Sequence, residues 1–180
     1  MPTEMGEYLV GAYLQLVEKC DLVAYNVRPP EAGLKGLGEF DVVGLDFKRN
    51  ICYMGEVVTH ILGLSYKDDD TTVKRLIEKH QRQKDYAQKH LVPQFRPQFQ
   101  LWSPVVSEKL VKKIVSAEIG YELVINGEYA DRIHLLQSEA VKSHDIGNPA
   151  FRLLQIVNHM RETASPSHDS GFGQRRLQHS

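Results

Sequence analysis

Two carboxylates stand where carboxylates are costly. In the stretch GEFDVVGLDFKRNICYMGEVVTH, residues 38–60, Asp41 and Glu56 each interrupt a run rich in β-branched and aromatic residues, and a bare acid in such surroundings needs a partner. Side chains alternate faces along a strand, and residues opposite each other in an antiparallel pair share a face. A hairpin whose turn is centred between Lys48 and Arg49 sets Asp41 opposite Glu56, Glu39 opposite Val58 and Val43 opposite Met54. Two acids that close repel, so the pair calls for a shared proton, a basic neighbour or a metal ion. Magnesium, or manganese, suits the third: it takes hard oxygen ligands and keeps waters that can meet a phosphate and supply a nucleophile. A slip of one residue in the turn would send the acids to opposite faces. The plainer alternative is a pair of strand-edge carboxylates bridged to Lys48, Arg49 or bases on a helix.

Other chemistry-bearing residues surround this pair in the sequence. His60 falls on the strand face of Glu56 and Val58, where it is either a ligand or proton carrier at the rim or a strand-end histidine. Lys74, Arg75, Lys79, His80, Arg82, Lys84, Lys89 and His90 crowd one segment, and with Lys109, Lys112 and Lys113 they form either a phosphate-binding surface or a solvated helix face. Trp102 lies inside an apolar strand and reads as core rather than as a base-stacking platform. Gly33, Gly36 and Gly38 lack the order of a dinucleotide or phosphate loop, and no GxSxG elbow occurs.

The elements that must position these groups follow from periodicity and breakers. A helical stripe of Leu9, Tyr13, Leu16 and Val17 predicts a helix from Glu4 to Cys20 with Thr3 as N-cap. DLVAYNV reads as a short strand feeding the Gly-rich loop EAGLKGLG, which is expected to be mobile, and then comes the hairpin. Val73, Leu76, Ile77 and Tyr86 predict a second helix over 71–90; FQLWSPVV is a strand, EKLVKKIVSAEIG a helix closed by Gly120, and YELVING a strand ending in an Asn-Gly turn. NPAFRLLQIVNHM is a last helix, capped by Asn148 with Pro149 in its first turn, and residues 163–180 have the composition of a disordered tail. The sum is one α/β domain over 1–162.

Composition limits the classes. With 42% hydrophobic residues the 180-residue chain can bury a core, and a net charge of -1 gives no global field for nucleic acid or an anionic membrane, so such contacts must be local. Cys20 and Cys52 sit in apolar stretches without a CxxC spacing, as reduced core thiols do. No leader-like segment or long apolar span is visible, so a cytoplasmic protein without membrane contact is expected.

Over residues 4–90 the pattern resembles the PD-(D/E)XK nuclease superfamily. GEYLVGAYL is similar to its first helix with the acid at Glu7, GEFDVVG to the strand bearing the metal-binding aspartate at Asp41, and GEVVTH to the E-x-K strand with Glu56. The resemblance implies a restriction-endonuclease-like fold, a central mixed sheet flanked by helices with an αβββαβ-type core. It implies Mg2+ (or Mn2+) held by Asp41, Glu56, Glu7 and the Val57 carbonyl, and hydrolysis of DNA, less readily RNA, by a metal-activated water. Val58 departs from the pattern, since the family keeps a lysine there to handle the attacking water and phosphate charge. In some branches that cation migrates to the next helix, which makes Lys79, then Lys74, the candidates, with Gln83 as partner at i+4 of Lys79 and Arg75, Arg82 and Lys84 as nucleic-acid contacts. The alternative is a degenerate member that binds nucleic acid or protein without cutting. A homodimer through FRLLQIV is a further expectation.

Overall fold

The computed structural model describes residues 2–29, 38–144 and 147–164. Its elements run α1 (Met5–Leu16), β1 (Leu22–Val27), β2 (Phe40–Asp46), β3 (Ile51–Val57), α2 (Asp69–His90), β4 (Arg96–Ser103), α3 (Glu108–Ser116), β5 (Glu122–Ile125), α4 (Gly127–Lys142) and α5 (Pro149–Ala164). The strands form one five-stranded sheet in sequential order, antiparallel from β1 to β3 and parallel from β3 to β5. Only the antiparallel half can be joined by short turns; each parallel step needs a crossover, and α2 and α3 provide the two. The molecule is therefore α/β, a mixed sheet with helices on both sides, and it begins in the expected α-β-β-β-α-β order. The loop EAGLKGLG falls almost entirely, and the tail beyond residue 164 wholly, outside the described residues.

Each face of the sheet has its own core. Val42, Ile51, Tyr53, Trp102 and Val124 pack with α1, α4 and α5 through Val10, Leu14, Leu136 and Phe151. On the other face Leu101 and Val58 meet Leu76 of α2 and Leu110 and Ile114 of α3, while Phe40, Cys52 and Met54 meet Ala87. β3 is buried along nearly its whole length, as a strand covered on both faces must be, and this accounts for its continuous apolar reading. Close approach of α1 to the sheet depends on Gly11: a Cβ there would lie 2.0 Å from the Tyr25 hydroxyl.

Several boundaries differ from the sequence expectation for local reasons. α1 stops at Leu16 rather than Cys20, because Lys19 turns left-handed (φ 61°) and the Cys20 N–H returns to the Leu14 carbonyl at 2.9 Å. Its N-cap is Glu4 in a capping box with Glu7, whereas Thr3 accepts from Asn26. α2 starts at Asp69, two residues early, since Asp68 accepts the Thr71 N–H at 2.7 Å. The largest difference is α4, which the sequence reading left out. Asn126 and Gly127, read as a strand-to-strand turn, instead start this helix. Asn126 has φ 52°, and its side chain bonds the N–H and C=O of Val106 at 2.8 and 2.9 Å, so the pair bends a strand into a helix. At α5 the cap is as expected: Asn148 accepts the Ala150 N–H at 2.9 Å and donates to the Tyr8 carbonyl at 3.0 Å.

Candidate active site

The β2–β3 ladder pairs Val43 with Met54 and Val42 with Gly55, the register expected from a turn centred between Lys48 and Arg49. Val42 with Gly55 is its last pair; continued by one step, the same register sets Asp41 abreast of Glu56 on the face covered by α2. The β3 backbone holds the aspartate, since Val57 N–H donates to Asp41 Oδ2 at 2.8 Å. Glu56 is 1% exposed, and the half-buried Lys79 of α2 donates to its Oε1 in an ion pair. The ladder ends before Glu39, which bridges to Arg28.

Charge does not balance at this point. Burial drives the Glu56 carboxyl up, and the neighbouring Asp41 drives it further, to about 7, against the pull of Lys79 and Arg82. Asp41 is raised as well, chiefly by burial, with Lys79 and the Val57 N–H opposing. Lys79 is itself raised because its carboxylate neighbours outweigh its own desolvation. Two carboxylates thus compete for one ammonium in a dehydrated site, which is the condition under which a shared proton or a further cation is stabilised.

The environment of residue 58 suits a valine. Val58 is buried with Leu64, Leu76 and Leu101, so its side chain belongs to the apolar layer beneath α2. The cation arrives from the helix, where Lys79 is one turn beyond Leu76. Tyr66, in the β3–α2 connection, takes the Arg75 guanidinium over its ring at 4.9 Å and has the Lys79 ammonium 5.9 Å from its centroid. Arg75, Lys79 and Arg82, at i, i+4 and i+7, make one basic stripe beside the acids.

Other expected groups lie elsewhere. Glu7 is buried, but its Oε2 accepts the Glu4 N–H and Asn26 Nδ2, each at 3.0 Å, so this carboxylate is spent on the helix cap and reaches Asp41 through its field. Among the described residues no group of three or more His, Cys, Asp or Glu is gathered as a metal cage. Lys74 is turned away: it lines a groove of about 530 Å³ between α2 and α3 with Ile77 and Lys113. In that groove Lys113 is bound by Asp70 at 2.6 Å, and nearby Lys109 is bound by Asp69 at 3.0 Å, so much of this basic cluster is neutralised. Lys84 points outward, and its charge joins burial in lowering the His80 pKa. Gln83 is buried with Oε1 unpartnered rather than presented to solvent. His60 lies past the end of β3 and is exposed.

Two tyrosines escape the sequence reading, and His80, read as part of a basic cluster, is buried instead. Tyr121 is buried with an unpartnered hydroxyl, which burial first and then the Glu56 and Asp41 charges push up. His80, at 4.6 Å from the Tyr121 ring and 4.9 Å from Phe99, has an unpartnered Nε2, and burial lowers its pKa. Neither Tyr66 nor Tyr121 belongs to a periodic pattern or motif, so no signal marks them before the chain is folded. Scanned against protein-family models, curated proteins and solved structures, the chain has no match in any of the three.

Proposed function

We propose that this chain is a metal-dependent phosphodiesterase of restriction-endonuclease-like fold, acting on DNA in preference to RNA. The observation that carries the reading is the half-buried Asp41 beside the buried Glu56, one step past the last pair of the hairpin ladder, with Lys79 bound to Glu56. Asp41 Oδ1 and Glu56 Oε2 accept no hydrogen bond among the described residues. Two such oxygens suit magnesium, which is bound through one or two carboxylates and keeps the rest of its shell as water. The uncompensated negative charge fits a divalent ion better than a monovalent one.

Asp41 and Glu56 would hold the ion, which when bound supplies an acidified water and charge neutralisation at a phosphate. The chain's own groups do the remainder. Val57 N–H fixes one oxygen of Asp41, so the other is oriented without an entropy cost at binding. Lys79, released from part of its contact with Glu56 as that charge is shared, is placed to approach a phosphate oxygen or the attacking water. Arg75 and Arg82 would flank the strand as electrostatic guides. Val58 keeps the floor dry.

A second reading has its own observation: if Lys79 stays locked on Glu56, the pair is already satisfied and the fold binds without cutting. Cleavage of supercoiled and branched DNA in Mg2+ or Mn2+ separates the two. Asp41→Ala, Glu56→Ala and Lys79→Met should each lower the rate by about 10²-fold or more. Cutting that survives both acid substitutions would sink the nuclease reading, and metal-insensitive binding without cutting would establish the second.

A further inference from the structure

Lys79 has two attractors, and only one of them is an acid. Its ammonium donates to Glu56 Oε1 and also stands 5.9 Å from the centre of the Tyr66 ring. The same ring takes the Arg75 guanidinium at 4.9 Å, so one aromatic side chain serves two cations at i and i+4 of α2. Like charges at that spacing repel, and a ring that attracts both offsets the repulsion.

The ring is mounted on the helix whose cations it serves. Tyr66 N–H donates to Thr72 Oγ1 at 2.9 Å, and that buried hydroxyl donates onward to the Asp68 carbonyl at 2.7 Å. Asp68 also caps α2, accepting the Thr71 N–H at 2.7 Å. Between Tyr66 and Asp68, which pair as an isolated bridge, Lys67 has φ +94°, a conformation costly for any residue with a Cβ. Such a residue persists only where its surroundings over-determine it, so the tyrosine and the first turn of α2 move as one unit. The phenol lies within the field of the site: burial raises its pKa, the Lys79 charge opposes, and Glu56 and Asp41 add to the rise.

The two attractors differ in chemistry. A carboxylate that shares its charge with a metal ion loosens its hold on an ammonium, and a lysine on its flexible four-carbon stem then swings away unless something else retains it. A ring retains it through its quadrupole, takes no proton and leaves its N–H donors free. Resting on the phosphodiesterase reading, we infer that Tyr66 is a positioning residue for Lys79: it keeps the ammonium over the acids once a metal ion has taken up the Glu56 charge, so that Lys79 stays aimed at the reacting phosphate.

The test uses the full chain, with single-turnover cleavage of supercoiled plasmid in Mg2+ and plasmid affinity in Ca2+. Tyr66→Leu should slow cleavage about tenfold while affinity stays within about twofold, and Tyr66→Phe, which keeps the ring, should restore the rate. On the residual cleavage of Lys79→Met, Tyr66→Leu should have no further effect, since a residue that acts through Lys79 then has nothing left to position. A second readout needs no activity: in Ca2+ the NMR signal of the Lys79 ε-methylene should carry a ring-current shift that Tyr66→Leu abolishes and Tyr66→Phe keeps. A Phe variant as slow as the Leu variant, an equal loss with and without Lys79, or a Lys79 signal that Tyr66→Leu leaves in place overturns the role. A loss that vanishes in Arg75→Ala rather than in Lys79→Met assigns the ring to Arg75 and ends the proposal. Cutting that requires Asp41 but ignores Tyr66→Leu overturns the positioning role and leaves the phosphodiesterase reading standing, whereas wild type that never cuts with metal overturns both.

Discussion

Glu56 carries a stability cost that the rest of the site does not hide. Its folded-state pKa is raised from 4.5 to about 7, so the fold favours the protonated acid. That contribution is complete below the unfolded-state value and is lost as pH rises through about 7, a window well below the range in which Lys79 titrates. Metal-free protein should therefore be less stable at about pH 8 than at about pH 5, by on the order of 1–3 kcal/mol. Glu56→Gln should remove most of that slope and be the more stable protein at the higher pH. Urea unfolding in chelator at both pH values checks this; an unchanged slope would mean that Lys79 neutralises Glu56 fully. The same logic makes ion uptake stronger as pH rises toward 7, since the proton and the ion compete for one carboxylate.

At the scale of elements, what could be read in advance was what local rules govern. The hairpin register follows from the turn position and the alternation of its strands, and Val43 does face Met54. Lys79, the first candidate on the second helix, does reach Glu56, because α2 packs on the face that carries this acid. α4 was not legible, because Asn-Gly supplies a positive φ to a hairpin and to a strand–helix corner alike, and only Val106, twenty residues back, selects between them. The resemblance implied that Glu7 is a ligand, yet its place three residues after Glu4 builds a capping box, and the cap has claimed its oxygen. Tyr66 and Tyr121 reach the acids only through tertiary packing. Contact between α1 and β1 should be the least forgiving of these joints. Gly11→Ala forces its methyl into Tyr25, which is itself held by Asn148 at 2.9 Å, so a loss of about 1–3 kcal/mol is expected in thermal unfolding, with α5 loosened along with α1.

The whole molecule divides its labour between the two faces of one sheet. The face covered by α2 and α3 carries the acids, the basic stripe and the unpartnered polar atoms of His80, Gln83 and Tyr121. The opposite face, under α1, α4 and α5, is the larger apolar cluster. No described helix is long and apolar enough to cross a membrane. Within FRLLQIV of α5, Leu153, Ile156 and Val157 are exposed.

On the quieter face sits the chain's one tryptophan. Trp102 is fully buried, donates to Gln100 Oε1 at 3.0 Å, and lies 5.4 Å from the Arg132 guanidinium, which Glu122 and Glu128 hold in place. Its neighbour in sequence, Leu101, pairs with Glu56 but points to the other side of the sheet. The indole is therefore a lamp on the far side of a wall. Its emission should stay constant while Mg2+ is titrated into the site, yet shift to longer wavelength when Arg132→Ala lets water reach the ring from α4. A shift on adding the ion would mean that the two faces of the sheet are optically, and so mechanically, one.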